Sequence, residues 1–423
     1  MAVPVLRAPE APAPAHEPAA RYRPALASLT VLFFMMGFIT CLNDILIPYL
    51  KAIFGLSYTQ ANLVNLCFFG AYFLLGIPAG LLVQRVGYKG GMLTGFVTAA
   101  LGAFLFYPAA ASRSYPFFLA ALFVLAAGVV LLQVAGNPYV AVLGPARSAP
   151  ARLTLTQAFN SLGTTVAPLL GAALILARLP DLEAAPAAVI DVRAVQLPYL
   201  VIGGALLLIS LLLALRPLPR IPHAPDAAGA AGSAWQHRHL LLGAGAIFAY
   251  VGAEVAIGSH LVNYLHLPEV LSLSPKAAGD RVAWYWGGAM LGRFAGAYLL
   301  SRFSPGRLLA LNAAGAVLLV LFSVLSRGQL AMASMLAVGL MNSIMFATIF
   351  TLALAGLGQH TEQASGLLNV AIVGGAVVPL LFAFVADAAS LRLAFGLPVL
   401  CYLYILWYGL LGHRPAVWPA AAG

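Results

Sequence analysis

Four ionisable side chains stand inside apolar runs of this 423-residue sequence: Asp44 in "FITCLNDILIPYLK", Glu254 in "FAYVGAEVAIGSHLVNYL", Arg293 in "LGRFAG" and Asp387 in "FVADAA". An acid held among apolar residues is costly, so it marks proton handling or ligand binding unless a cation neutralises it. Asp44 shares a helical face with Thr40 at i−4, has Asn43 beside it, and lies one to two turns before Lys51. Two readings of Asp44 stand open, an interfacial or capping carboxylate near Lys51 or a membrane-depth acid able to couple a proton, with Asn43 beside it as a ligand contact. Glu254 has no basic residue within a turn on either side, while Tyr250 and Gly258 share its face. It reads as a cavity acid suited both to ligand hydroxyls and to proton coupling. Arg293 is its candidate cationic partner from another helix and reads as structural; Asp387 ends its run and reads as interfacial.

Neutral amides form a second pattern. Gln157, Asn160 and Thr164 fall at i, i+3 and i+7, one stripe of a helix. Gln133 and Asn137 are i, i+4, with Pro138 next, and Asn62, Asn65 and Phe69 share another face. One such amide is explained by a bond between helices. Several stripes, with Tyr72, Trp284 and Trp286, suit a polyhydroxylated ligand, since amides pair with vicinal hydroxyls and aromatic faces cover the C–H side of a sugar ring. Metal or cofactor chemistry is not expected: Cys41, Cys67 and Cys401 lie in apolar runs without a CxxC, no His/Cys/carboxylate group has ligand spacing, and no Gly-rich phosphate loop occurs.

The elements that must position these groups follow from composition. The chain is 62% hydrophobic and 8% charged, with a mean hydropathy of +0.96. A soluble domain carries roughly 25% charged residues, so this is an all-α integral membrane protein rather than a soluble enzyme. The net charge of +10 comes with no basic cluster of the kind that binds nucleic acid. Twelve spans are expected near 26–50, 60–84, 90–110, 115–142, 153–177, 196–215, 239–265, 277–301, 307–326, 329–356, 364–387 and 391–412. Residues 1–25 read as a disordered cytoplasmic tail, 216–238 as a cytoplasmic linker and 413–423 as a second tail. With the N-terminus inside, 13 Lys and Arg fall on the inner side and 8 on the outer, which puts both termini in the cytoplasm.

The segments 26–215 and 239–412 look like copies of one six-helix unit. "GTTVAPLL" at 163–170 and "GGAVVPLL" at 374–381 match at an offset of 211, and "LLVQRVGYK" after the second span is echoed by "LLSRFSPGR" after the eighth. Two repeated six-helix halves around a midplane site are the architecture of the major facilitator superfamily. Its cytoplasmic signature, G-x-x-x-D-R-x-G-R-R/K, is met here by Gly80 and Arg85, with Gln84 in place of the acid.

The runs "FFMMGFITCLNDILIPYLK", "GAYFLLGIPAGLLVQRVGYKGG", "LLQVAGNPYVAVLGP", "LTLTQAFNSLGTTVAPLLG" and "YVGAEVAIGSHLVNYL" resemble the fucose–galactose–glucose:proton symporter family of that superfamily, over residues 26–412. The resemblance implies import of a neutral sugar across a bacterial inner membrane with a proton. It also implies that Asp44 matches the family's first-helix carboxylate and that Gln157 and Asn160 line the sugar cavity. Fucose transporters of the family carry a fourth-helix carboxylate where this chain has Gln133; with Glu254 on the seventh helix, the resemblance points to the glucose/galactose/N-acetylglucosamine-like branch. Sodium symport and passive uniport of the same fold are the alternatives. A membrane enzyme or a sugar-sensing receptor fits less well, and a monomer is expected.

Overall fold

The computed structural model describes residues 19–54, 63–174, 195–219 and 233–414, and within the helices the side chains of residues 19–21, 23, 41–49, 51–53, 65, 168–174, 275 and 276 fall outside the described set. Every regular element among the described residues is helical. Eight stretches are long and apolar enough to cross a membrane. One of them, Leu66–Ala111, has 46 residues, roughly 69 Å of helix, twice what a bilayer core of about 30 Å needs. It contains two crossings, because the parent helix Leu63–Ala111 is broken at Gly87 (φ 74°, ψ 169°). That positive φ is open to glycine and strained for other residues. Just past the break, the Lys89 ammonium donates to the carbonyls of Ala214 (2.8 Å) and Arg216 (2.9 Å), pinning the turn to the end of the sixth helix.

The remaining crossings are the first helix Ala19–Phe54, the fourth Tyr115–Val142, the fifth Ala149–Leu174, the sixth Gln196–Leu215, the seventh Arg238–His266, the eighth Pro275–Arg302 and the ninth Pro305–Leu325. The tenth, eleventh and twelfth lie within 328–353, 358–388 and 391–412. Two differ from the unbroken spans expected. The tenth is interrupted at Ser343–Ile344, between Gly328–Asn342 and Met345–Ala353, and the eleventh carries a 3₁₀ turn at Ala371–Val373, between Thr361–Val370 and Gly374–Ala388. The first helix starts at Ala19, seven residues ahead of the expected boundary, so residues 19–25 are helical instead of tail. Four of the five residues ahead of Pro24 are Ala or Arg, strong helix formers. Residues 1–18, 220–232 and 415–423 of the expected tails and linker lie outside the described residues.

Among the described residues the eighth helix is not one of the stretches that qualify by hydropathy, and it, like the fifth, is held by close packing and polar bonds. The repeated glycines explain part of this. A Cβ on Gly163 would sit 2.1 Å from the Phe34 carbonyl oxygen, and one on Gly374 would sit 2.1 Å from that of Phe248. The two glycines, 211 residues apart, therefore let the fifth helix touch the first and the eleventh touch the seventh, the close approach that small residues give in membranes.

Candidate functional site

The fifth helix is fixed at its start by Arg152. Its buried guanidinium donates to the carbonyls of Val140 (3.2 Å), Ala141 (2.8 Å) and Pro145 (2.8 Å), satisfying the open end of the fourth helix. Two turns on, the amide stripe makes contacts between helices. Gln157 Nε2 donates to Asn137 Oδ1 at 3.4 Å, and Asn160 Nδ2 donates to the Phe33 carbonyl at 3.0 Å. On the fourth helix, Gln133 Nε2 donates to the Tyr72 hydroxyl at 2.9 Å. The stripe thus ties the fifth helix to the fourth and first, and Gln133 ties the fourth to the second.

Glu254 lies on the seventh helix and faces the same region. The Tyr250 hydroxyl donates to its Oε1 at 2.8 Å, and the Arg293 Nη2 of the eighth helix stands 3.6 Å from the same oxygen. The other arm of the guanidinium, Nη1, donates to the hydroxyl of Ser161, the neighbour of Asn160 on the fifth helix. The candidate cationic partner from another helix does meet the acid, and the chain Glu254–Arg293–Ser161 joins it to the amide stripe. The side chains of Arg293 and Glu254 are 15% and 13% exposed, dry enough that neither charge is offset by bulk water. Behind Glu254, the Tyr285 hydroxyl donates to its main-chain carbonyl (3.3 Å) and accepts from Asn342 Nδ2 (2.8 Å), while the Tyr402 hydroxyl donates to Asn342 Oδ1 (2.8 Å). Asn342 is the last residue before the break in the tenth helix, so this buried network holds the break against the eighth and twelfth helices.

Of the two tryptophans expected near a ligand, Trp286 packs over Gly258, one turn from Glu254, and remains 45% exposed. The side chains of Asn43, Asp44 and Asn65 lie outside the described set. Among the described residues no group of three or more His, Cys, Asp or Glu could hold a metal. Arg293, Ser161 and Asn342 are the site residues that sequence reasoning missed or set aside. The signal for Arg293 was present: a charge in an apolar run requires a partner.

At one end of the helix assembly the two halves meet. Gly76 and Gly80 of the second helix lie against Gly366 and Glu362 of the eleventh, the Tyr88 hydroxyl bonds the Glu362 carboxylate, and the Ser365 hydroxyl donates to the Val134 carbonyl at 2.9 Å. Leu300 of the eighth helix packs with Ala151 of the fifth and with Ile344.

A family profile described as Major Facilitator Superfamily matches residues 27–379. The chain belongs to the Major Facilitator Superfamily. Over 92% of its length and 94% of the relative's, it is 54% identical to a glucose/galactose transporter of Brucella abortus. It is 36% identical to the L-fucose-proton symporter of Escherichia coli K12, over 90% of this chain and 91% of that one. The crystal structure of a Major Facilitator Superfamily transporter, FucP, in the outward conformation superposes with a TM-score of 0.86 at 35% identity, covering 93% of this chain and 99% of that one. The membership in the fucose–galactose–glucose:proton symporter family read from the five motifs stands, as does the all-helical major facilitator fold. This is a multi-pass membrane transporter of a family without enzymes among these relatives.

Proposed function

We propose that this transporter imports a neutral hexose or N-acetylhexosamine together with a proton, by alternating access between two six-helix halves, 26–215 and 239–412. The observation that carries this reading is the Glu254–Arg293–Ser161 chain, which puts a carboxylate, a cation and an amide stripe around one membrane-embedded region. A site for a neutral sugar needs such groups: charge-assisted bonds to hydroxyls are roughly twice as strong as neutral ones, and amides offer donor and acceptor together. Both described bonds to the Glu254 carboxylate fall on Oε1, and we assign Oε2 to the sugar. Gln157, Asn160, Gln133, Asn137, Asn43 and Asn65 supply the remaining polar contacts, and Trp286 the apolar face. Asp44 is the main proton-coupling acid, with Glu254 the second candidate.

The 54% identity to a glucose/galactose transporter against 36% to an L-fucose symporter supports a sugar of the glucose, galactose or N-acetylglucosamine class. Loop charge supports a bacterial inner membrane with both termini cytoplasmic, which makes the end where the halves meet the inner one and the conformation outward-facing. We assign transport to the monomer. The test is uptake of labelled glucose, galactose, N-acetylglucosamine and fucose into proteoliposomes, with and without an imposed pH gradient or sodium. Accumulation of a sugar driven by the pH gradient alone is expected. Sodium dependence at fixed pH, or equilibration without accumulation, replaces proton symport by the sodium-coupled or passive alternative.

A further inference from the structure

Arg293 was set aside as structural from sequence, yet it is the one described side chain that binds Glu254 on its own side and crosses to the stripe-bearing fifth helix. We propose that Arg293 is a positioning residue of the transport cycle, whose bond to Ser161 is a tie that must break each time the inner side opens, with Glu254 retaining the guanidinium when it does. The inference rests on the alternating-access reading above.

The fifth and eighth helices meet along a line. Leu300 packs with Ala151, a Cβ on Gly296 would lie 3.9 Å from the Thr154 methyl, the rings of Phe159 and Phe294 meet edge-on at 5.9 Å, and the Thr165 hydroxyl lies 3.6 Å from Met290 sulfur. Apart from Arg293–Ser161, these contacts are weak or apolar and give no preferred register. The Arg293 bond has direction, because a planar guanidinium donates along fixed axes. Opening the inner side separates these helices and removes Ser161 from reach. A guanidinium at membrane depth cannot then be left alone, and the seventh-helix carboxylate, 3.6 Å away, keeps it paired. Ser161 is fitted to the role: its hydroxyl donates to the Gln157 carbonyl at 3.1 Å and accepts from Arg293, holding the acceptor in place from the stripe itself.

The test uses Leu300→Cys, buried between the fifth and eighth helices, in the full-length protein with Cys41, Cys67 and Cys401 changed to serine. The rate of labelling by a membrane-impermeant maleimide in inside-out vesicles reports inner opening without any added sugar. Ser161→Ala is expected to speed labelling about threefold or more, Arg293→Lys to do the same because an ammonium has no fork for two partners, and Ser161→Thr to restore the unmodified rate. Unchanged labelling in Ser161→Ala overturns the proposal, as does failure of Ser161→Thr to restore it. Faster labelling in a protein that takes up none of the four sugars supports the tie and removes only the sugar reading.

Discussion

Gln84 and Gln363 face each other across the second and eleventh helices, Nε2 of Gln363 donating to Oε1 of Gln84 at 3.3 Å. Gln84 stands where the superfamily signature has an acid, so here the two halves meet through a neutral amide pair, while the carboxylate of the region, Glu362, is supplied by the eleventh helix and bonded by Tyr88. Joining Gln84→Cys to Gln363→Cys with a bifunctional thiol reagent should stop net uptake and leave sugar binding from the outer side intact. Cross-linked protein that still transports at the free rate removes this contact from the gate.

Glu254→Gln should weaken sugar binding by at least tenfold, about 1.4 kcal/mol, measured on purified protein. The ion pair adds a second expectation: the neutral side chain leaves Arg293 with Ser161 alone, so expression should fall more than for Gln157→Ala. Wild-type sugar affinity in Glu254→Gln takes the acid out of the site.

The two stripe amides should separate. Asn160 is bonded to the main chain of the first helix, so Asn160→Ala should lower thermal stability as well as affinity, by the ~0.6 kcal/mol typical of such bonds in membranes. Gln157 donates to Asn137, a fully buried amide whose Nδ2 has no partner among the described residues. Gln157→Ala should therefore weaken binding and also leave the Asn137 oxygen unpaired, at about 1–3 kcal/mol for each unsatisfied group, a larger thermal shift than that of Asn160→Ala. Equal thermal shifts for the two variants contradict the assignment.

Much of this was legible in the sequence. Apolar runs located the crossings, and the repeated Gly163 and Gly374 pointed to the helix contacts they make. The breaks at Ser343 and Ala371–Val373 were not legible, because hydropathy averages over a window and both lie within apolar runs, although Gly374 and Gly375 directly follow the second. The Glu254–Arg293 pair was half legible: composition said that each charge needed compensation, but the rotation of the seventh and eighth helices about their axes decides whether the two meet, and that is set by packing.

Asp44→Asn mimics a permanently protonated acid. It should abolish accumulation driven by a pH gradient and keep sugar–sugar exchange, which needs no proton release. The potential acting on each carried proton is worth ~2.3 kcal/mol per 100 mV, so accumulation by the unmodified protein should rise with voltage and that of Asp44→Asn should not. Uphill uptake that survives in Asp44→Asn and vanishes in Glu254→Gln moves coupling to the seventh helix.

His237, in the segment before the seventh helix, is held below the ordinary histidine range by burial and then by the neighbouring His360, whose ring lies 6.0 Å away, with His239 at 5.8 Å. A base with a lowered folded value binds fewer protons folded than unfolded, so stability rises with pH through this window. The contribution is present above the ordinary value of 6.5 and is lost as pH falls below it. Thermal unfolding in detergent should show a drop on the acid side that His360→Gln makes shallower; an identical profile in that variant excludes the pair as its source.

The eighth helix is also one that the bilayer would accept poorly during synthesis. An arginine near the centre of a nascent segment costs about 2.5–3.5 kcal/mol at the translocon, and the run "WYWGGAMLGRFAGAYLL" around Arg293 offers few strongly apolar side chains to offset it. The seventh helix is made first and carries Glu254, which stands 3.6 Å from the Arg293 guanidinium, so the cation can enter the lipid already paired. A variant at Glu254 should therefore be read first by the cell's quality control as an eighth helix left behind in the channel.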